Sequence, residues 1–432
     1  MIEVGTDNLT TSFGEKIQIL SQLGSGGQGT VFEAKLTPSG RHVALKWYSE
    51  GHQNQGVFDG IKYLTDRDSP SPHFLWPTAI VKHGGEFGYV MDIRPDSFAG
   101  IPALLRRRVD ASFSTLIEVS SHVVEAFRAL QSHGLFYCDI SDKNLFFQPG
   151  TGEVLICDND NIGSLERAPT VLGTPRFMAP EIVRGERKPS PDTDRFSMAV
   201  LLFMVMFNDH PLQGKAESKI RCLDPVAMKQ LYGDNPVFIF DPDDSSNAPD
   251  PDVQVNAPIF WKIYPQFVRD LYIKAFTVGL KSEAQRPSFR EWQQMLARLK
   301  GSVCLCSSCG KENFIDRVGI RRSCWSCKKP VSAIHCLEHR GGSVVVLRDG
   351  VHVTAQQLSP RGSDTIVGVP QRHPSKDLLG LKNLSPDPWH VTSPSGKQTS
   401  VPPGRSMSLT PGAKVRIGDA EVKVGPTQTA AS

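Results

Sequence analysis

The sequence predicts an α+β protein made of a large mixed region, a short cysteine-rich unit and a small all-β unit. Up to about residue 300, segments rich in β-branched and aromatic residues alternate with segments of helical periodicity. Six of the nine cysteines then crowd between Cys304 and Cys336. From about residue 341 to 425, short Val/Ile/Leu segments are broken by Pro, Gly and Ser, which is typical of short strands.

Local patterns predict the elements of the mixed region. Three segments separated by glycine turns are expected to begin a small antiparallel sheet: 17–23, 31–35 and 42–47. A further strand is expected at 88–92. Apolar residues at three- and four-residue spacing predict a helix over 115–133, and segment 198–207, apolar on every side, predicts a buried central helix. The Asp-, Pro-, Ser- and Asn-rich stretch 241–258 predicts a surface loop.

Composition restricts the class of protein. The chain has 432 residues, 39% hydrophobic and 22% charged, as expected for a globular protein of two or three domains. A formal net charge of +3 is too small to indicate binding to nucleic acid or a membrane surface. The first residues lack a signal-peptide pattern, and clustered cysteines favour metal binding in a reducing compartment. We therefore expect a cytoplasmic protein with no nucleic-acid or membrane partner.

A glycine-rich stretch with a lysine at a fixed distance behind it indicates phosphate binding. Residues 24–31 have the pattern G-x-G-x-x-G-x-V, and Lys46 ends the sequence Val-Ala-Leu-Lys at 43–46. Glycines let backbone N–H groups approach phosphate oxygens closely, and a lysine supplies a compensating charge. Either feature alone is a weak signal, but together they favour a nucleotide site.

Two further segments supply the groups that phosphoryl transfer needs. Residues 137–144 match the spacing H-R-D-x-x-x-x-N, so Asp139 could orient a hydroxyl and accept its proton, and Asn144 could reach a magnesium ion. Residues 154–157 read as a buried strand that delivers the carboxylate of Asp158, an oxygen ligand of the kind that Mg²⁺ prefers. Ala-Pro-Glu at 179–181 and Arg286 follow in order.

Residues 12 to 300 resemble the eukaryotic-like Ser/Thr protein kinase family. The resemblance implies a two-lobed fold, with an N-lobe at about 12–93, a C-lobe at about 94–300 and ATP between them. The implied ATP-contacting residues are Gly24, Ser25, Gly26, Gly29, Val31, Ala44, Lys46 and Met91. The implied catalytic residues are Asp139, Lys46, Asn144 and Asp158, with Asn144 and Asp158 holding Mg²⁺ or Mn²⁺. Thr174 would brace the catalytic aspartate, as in Ser/Thr-type kinases, and Glu181 would form a buried ion pair with Arg286.

Several positions depart from the family pattern. Tyr-Cys at 137–138 replaces the usual His-Arg, so activation through a phosphate on the activation loop is less expected. Asp-Asn-Asp at 158–160 replaces Asp-Phe-Gly, which is also what drift in a catalytically dead relative would give. Gly60 stands where the helix C glutamate normally pairs with Lys46. Either Asp59 or another acid holds Lys46, or the active state is assembled differently.

Four cysteines have the spacing of a zinc ribbon. Cys306 and Cys309 form one C-x₂-C pair, and Cys324 and Cys327 form a second pair after fourteen intervening residues. Two such knuckles can close a tetrahedral Zn²⁺ site, which is structural rather than catalytic. The alternatives are free reduced thiols, or a ligand set that includes Cys304, His335 or Cys336. The ribbon is expected to contact protein rather than nucleic acid.

The predicted domains are therefore a kinase domain at 1–300, a zinc ribbon at 301–339 and a small β domain at 340–427. The last stretch, with its G-x-x-V-x-I-G-D step at 412–419, resembles the C-terminal half of a forkhead-associated (FHA) β-sandwich, although the phosphothreonine-reading features are not evident. An unrelated β domain is the alternative. The domain order resembles bacterial kinases of tellurite-resistance-associated sets, which implies a von Willebrand-type protein and a metal-dependent phosphatase as partners.

The predicted function is transfer of the γ-phosphate of ATP to protein hydroxyls by a Ser/Thr kinase, with C-terminal modules for partner binding or regulation. The alternative from another class is a nucleotide-binding pseudokinase scaffold, which Gly60, Ser141, Asn159 and Asp160 favour. A kinase for small molecules is a third possibility, and the Ala-Pro-Glu motif argues against it.

Overall fold

The computed structural model describes residues 2–6, 8–164, 166–167, 171–318, 322–331, 335–376 and 378–425. The chain forms two compact units. The first unit comprises Met1–Ala111, Glu118–Val255 and Ile273–Phe289, and the second comprises Ser112–Ile117, Asn256–Tyr272 and Arg290–Ser432. The predicted domain boundaries at residues 300 and 339 remain predictions. Residues 426 and 427, the end of the predicted β domain, lie outside the described residues.

The first unit begins with a six-stranded antiparallel sheet of order β1-β2-β3-β4-β6-β5. Its strands are β1 (Leu9–Thr10), β2 (Lys16–Gly26), β3 (Gly29–Thr37), β4 (His42–Tyr48), β5 (Ala79–His83) and β6 (Glu86–Asp92). Alternate residues of β2 and β3, such as Ile17, Ile19 and Phe32, face one buried cluster with Leu45 and Val90. The four strands expected from the sequence lie within β2, β3, β4 and β6.

Helix α1 (Gln55–Thr65) connects β4 to β5. Asn54 caps it, because its side-chain oxygen accepts a hydrogen bond from the Val57 N–H at 3.1 Å. The helix buries Gly60, Ile61 and Leu64, which are spaced for one face.

The chain then forms helices with small sheets of two or three short strands between them. The elements are β7 (Ala99–Gly100), α2 (Ile101–Leu105), α3 (Phe113–Ser132), β8 (Leu135–Phe136), β9 (Leu145–Phe147), β10 (Val154–Ile156), β11 (Gly163–Ser164), α4 (Pro180–Val183), α5 (Pro191–Phe207), α6 (Lys215–Ser218), α7 (Pro225–Lys229), α8 (Asn256–Ile263), α9 (Gln266–Phe276), α10 (Val278–Lys281) and α11 (Phe289–Ser302). Helix α5 is buried along most of its length, as segment 198–207 predicted. It begins earlier because Ser190 and Thr193 form a capping box and Pro191 fits the first turn. The predicted loop 241–258 ends in α8 at Asn256.

The second unit contains two short hairpins and a β-sandwich. The hairpins are β12 (Val303–Leu305) with β13 (Glu312–Phe314), and β14 (Arg322–Ser323) with β15 (Pro330–Val331). The sandwich strands are β16 (His335–Glu338), β17 (Val344–Leu347), β18 (Val353–Thr354), β19 (Ile366–Arg372), β20 (Leu379–Asn383), β21 (Trp389–Thr392), β22 (Gln398–Val401), β23 (Ser406–Ser408), β24 (Lys414–Ile417) and β25 (Ala420–Val424), with the short helix α12 (Ala355–Leu358) after β18. One sheet has the order β17-β16-β25-β24-β21-β22 and the other β18-β19-β20-β23. Trp389 and Leu381 lie in the core they share. The C-terminal region is therefore rich in sheet, as the sequence predicted.

The hairpins of the second unit pack on aromatic residues of the same unit. The ring of Phe113 lies edge-on to those of Phe260, Tyr264, Phe314 and Trp325, at centroid distances of 5.1 to 6.1 Å. Residues from three parts of the sequence thus share one aromatic cluster. In the described part of the chain, no helix is long and apolar enough to cross a membrane.

Candidate active site

The glycine-rich segment forms the hairpin that joins β2 to β3. Gly26 pairs with Gly29 across a two-residue turn. A Cβ on Gly29 would lie 2.0 Å from the carbonyl oxygen of Trp47, so the close approach of β4 requires glycine there. A Cβ on Gly24 or Gly26 would meet no atom within 4 Å, so one side of the hairpin is open. Ser25 and Val31 lie on the two strands of the same hairpin.

Lys46 lies on β4 with its side chain buried among polar groups. Its Nζ donates to Asp160 Oδ2 at 2.7 Å and to Gln28 Oε1 at 2.9 Å, and lies 3.3 Å from Asp158 Oδ1. Tyr48, two residues along the same strand face, donates its hydroxyl to the same Oδ2 of Asp160 at 2.7 Å. Burial disfavours the ammonium, but the carboxylates of Asp160 and Asp158 raise the pKa of Lys46 above its ordinary value.

At the position on helix α1 where an acid could have paired with Lys46, the structure has Gly60, and the guanidinium of Arg167, from outside the helix, lies beside it. Asp59 is exposed and accepts a hydrogen bond from Gln55 Nε2 at 2.7 Å. A Cβ on the buried Gly60 would lie 2.1 Å from Nη2 of Arg167, and that Nη2 donates to the Gly56 carbonyl at 2.9 Å. The carboxylate that contacts Lys46 most closely among the described residues comes from Asp160, not from this helix.

The catalytic loop is fixed by hydrogen bonds at both ends. Asp139 Oδ1 accepts from Thr174 Oγ1 at 2.7 Å, and Asn144 Nδ2 donates to the Asp139 carbonyl at 3.0 Å. Asp194, buried at the start of α5, accepts from the backbone N–H of Tyr137 and of Cys138. These bonds hold Cys138 at a φ of 69° and so set the direction in which the loop presents Asp139. Thr174 therefore contacts the aspartate that the sequence analysis assigned to it.

Asp158 has a left-handed backbone, with φ 54° and ψ 43°, two residues after the end of β10 at Ile156. Its side chain is 42% exposed, whereas that of Asp160 is 3% exposed. Asn144 is buried with its amide nitrogen used by the Asp139 backbone, so its side-chain oxygen remains the atom suited to a metal. Asp158 and Asn144 fit an Mg²⁺ site as a carboxylate and an amide oxygen donor.

Ala44 and Met91 are direct partners across β4 and β6 and are both buried. They belong to an apolar cluster with Tyr89, and Val31 packs against it. An apolar wall beside a glycine-rich hairpin suits a purine base.

A buried ion pair connects α4 to the chain before α11. Arg286 Nη2 donates to Glu181 Oε2 at 2.8 Å, its Nη1 to the Asp192 carbonyl and its Nε to the Gly279 carbonyl. The Arg286 and Glu181 side chains are only 2% and 7% exposed. The pair implied by the sequence is thus formed.

This set of groups occurs in the order and arrangement of a protein kinase. A family model described as protein kinase domain matches residues 17–257. The chain belongs to this family. The kinase prediction is confirmed at the family level.

Relatives of this kinase domain are themselves named as kinases. It is 23% identical to CBL-interacting protein kinase 4 of Oryza sativa subsp. japonica, over 61% of this chain and 60% of the relative. It is 26% identical to mitogen-activated protein kinase kinase kinase 17 of Arabidopsis thaliana, over 49% of this chain and 56% of the relative. It is 24% identical to serine/threonine-protein kinase PAK mbt of Drosophila melanogaster, over 51% and 35%. The chain thus spans less than two thirds of the length of each of these curated relatives.

The second unit contains a separate candidate metal centre. The Sγ atoms of Cys306, Cys309, Cys324 and Cys327 all lie within 4.8 Å of one another. Each pair sits in a knuckle: the Gly310 N–H donates to the Cys306 carbonyl and the Lys328 N–H to the Cys324 carbonyl. Backbone N–H groups of Ser308 and Cys309 lower the pKa of Cys306, which favours a thiolate ligand. Among the described residues this tetrad is the cluster that could hold a metal ion, and Cys304, Cys336 and His335 are outside it.

Sequence reasoning missed Asp160, Gln28 and Tyr48 as neighbours of Lys46. One signal was available: Tyr48 is a polar residue two positions from Lys46, and alternate strand residues share a face. The contact with Asp160 joins positions 114 residues apart, so no local pattern marks it.

Proposed function

We propose that this protein is an ATP- and Mg²⁺-dependent protein-serine/threonine kinase. The observation that carries the proposal is the hydrogen-bonded arrangement of Asp139 with Thr174 and Asn144, next to the Lys46 carboxylate cluster. Family membership supports kinase chemistry, and the names of the relatives favour Ser/Thr specificity.

Each residue has a distinct role in this proposal. The open hairpin at Gly24, Gly26 and Gly29 places backbone N–H groups against the phosphates, and Lys46 adds a charge there. Ala44 and Met91 contact the adenine. Mg²⁺ held by Asn144 and Asp158 would neutralise charge on the phosphates.

Asp139 orients the attacking hydroxyl and accepts its proton. Thr174 donates to Oδ1, and Oδ2, which also accepts a longer hydrogen bond from Asn144 Nδ2 at 3.4 Å, is the oxygen proposed to face the substrate hydroxyl. The hydroxyl oxygen forms a bond to the γ-phosphorus in line with the breaking bond to the β-phosphate oxygen, and ADP leaves. Catalysis here is positioning and electrostatic stabilisation, without a covalent intermediate on the protein.

The direct test is phosphate transfer by the purified chain. We expect label from γ-labelled ATP, with Mg²⁺ or Mn²⁺, to appear on Ser or Thr of the chain or of an added protein. The same preparation carrying Asp139→Ala should give none. Label of equal strength in Asp139→Ala, or none in either protein, contradicts the proposal.

The second candidate is a nucleotide-binding scaffold. It is favoured by Gly60 on helix α1 and by Asn159, whose buried amide bonds to the Leu75 and Ile156 carbonyls rather than to a ligand. ATP that raises the melting temperature of a protein without any turnover would support this function over the first.

We propose that the C-terminal modules serve for binding partner proteins or for regulating the kinase domain. Four thiolates within reach of one ion suit a structural Zn²⁺ site in a ribbon whose core is too small to fold alone. The β-sandwich is proposed to be FHA-like, with phosphopeptide binding left to experiment. Protein substrates are expected, and a von Willebrand-type protein and a metal-dependent phosphatase are proposed partners from the domain order.

A further inference from the structure

We propose that Asp160 is the residue that positions Lys46 for the nucleotide phosphates, in place of an acid on helix α1. The inference rests on the proposed ATP site but not on turnover. It makes Asp160 a positioning residue, since it acts through Lys46.

The two aspartates beside Lys46 differ in exposure and in distance from its amine. Asp158 and Asp160 both contact Lys46, but the Asp158 side chain is 42% exposed and that of Asp160 only 3%. The Asp160 contact is also the shorter, at 2.7 Å against 3.3 Å. The exposed carboxylate is accessible to a metal ion, whereas the buried one is available only to the groups packed around it.

Strand β4 holds the Asp160 carboxylate with two of its side chains. Oδ2 of Asp160 accepts from both Lys46 Nζ and Tyr48 Oη, two side chains on one face of the strand. An oxygen that accepts two hydrogen bonds, one of them from a charged donor, is restricted in position. The amine of Lys46 is therefore also held in place. Because the pair is buried, Asp160 without Lys46 would be a buried charge with no cationic partner.

Helix α1 does not supply a carboxylate to Lys46. Gly60 offers no side chain, and the guanidinium of Arg167 occupies the space beside its Cα. Asp59 is exposed and bonded to Gln55. The carboxylate that holds Lys46 therefore comes from the segment that also carries Asp158. One stretch of chain positions both the lysine and the proposed metal carboxylate.

The test is a double-mutant cycle read out by nucleotide binding. Affinity for a non-hydrolysable ATP analogue is measured by calorimetry, with Mg²⁺ and with EDTA, for wild type, Asp160→Asn, Lys46→Met and the double variant. We expect Asp160→Asn to weaken binding about tenfold in both conditions, and to change it less than about twofold in the Lys46→Met background. Asp158→Asn is the matched control, and its effect should require Mg²⁺.

Two results would overturn the proposal. One is additive loss in the double variant, which means that Asp160 does not act through Lys46. The other is an Asp160→Asn effect that vanishes in EDTA, which makes Asp160 a metal ligand. If Asp160→Asn does not fold, Lys46→Met and the double variant decide alone: equal affinity supports the proposal, and a further loss of about tenfold contradicts it. An inactive wild type that obeys the cycle would contradict the kinase but not this inference.

Discussion

At the scale of single residues, Thr174 fixes one oxygen of the proposed catalytic aspartate. Its hydroxyl donates to Asp139 Oδ1 at 2.7 Å. Thr174→Val keeps the shape of the side chain and removes this bond, so we expect kcat for phosphate transfer to fall about tenfold with little change in the KM for ATP. Steady-state kinetics measure both values. An unchanged kcat would show that Asp139 does not depend on this bond.

His210 is expected to make stability depend on pH. It is buried between the Arg176 carbonyl, 3.0 Å from Nε2, and the Leu212 N–H, which donates to Nδ1 at 3.1 Å. Burial lowers the pKa of His210 to about 4, so the unfolded chain binds this proton more readily. The stabilisation is complete above about pH 6.5 and is lost as the pH falls towards 4, by up to about 3 kcal/mol.

Denaturant unfolding at several pH values tests this. His210→Gln keeps one acceptor and one donor and cannot titrate, so its free energy of unfolding should fall less between pH 6.5 and 4 than that of wild type. His133→Gln, at an exposed histidine, is the control and should follow wild type. Parallel curves for wild type and His210→Gln would contradict the assignment.

At the scale of elements, the buried pair of Arg286 and Glu181 connects α4 to the chain before α11. All three nitrogens of Arg286 donate, two of them to backbone carbonyls. Arg286→Ala leaves a buried carboxylate without its partner, so we expect a loss of about 3–5 kcal/mol in the free energy of unfolding. Arg187→Ala is the matched control, because that side chain is 68% exposed and lies 3.8 Å from Glu283. Similar losses for the two variants would be against this account.

The elements also show what the sequence can and cannot predict. Asp139 and Asn144 are five residues apart and form one loop, so their spacing alone predicted their proximity. The Lys46 contact with Asp160 depends on how a strand and a distant turn are brought together, which periodicity does not encode. The contact of Arg167 with Gly60 also joins distant parts of the sequence. The glycine could therefore be read from the sequence, but the arginine that fills the space beside it could not.

The two cysteine knuckles also differ in how well the sequence predicts their turns. Gly310 follows the first pair with a φ of 70°, in the left-handed region that glycine adopts readily. Lys328 takes the same position in the second knuckle with a φ of 63°, although lysine carries no such signal. The second knuckle was therefore predicted from the spacing of its cysteines and not from a turn-forming residue.

At the scale of the whole molecule, zinc is expected to be a structural component of the second unit. Protein purified with zinc available should contain about one zinc ion per chain by elemental analysis. Cys324→Ser should lose the metal and lower the unfolding temperature, because ligand binding and folding are coupled. Cys222→Ser, at an exposed cysteine outside the tetrad, should keep both. Full zinc content in Cys324→Ser would contradict a four-cysteine site.

Whether this molecule is a working kinase is tested by single-turnover phosphate transfer at saturating ATP and Mg²⁺. The experiment compares wild type with Asp139→Asn. The account predicts phosphate on Ser or Thr by mass spectrometry in wild type. It predicts a rate at least about 100-fold lower in the variant, with ATP affinity changed less than about threefold, because Asp139 acts on the hydroxyl and not on the nucleotide. Equal rates in the two proteins, or ATP binding with no transfer in wild type, would contradict it.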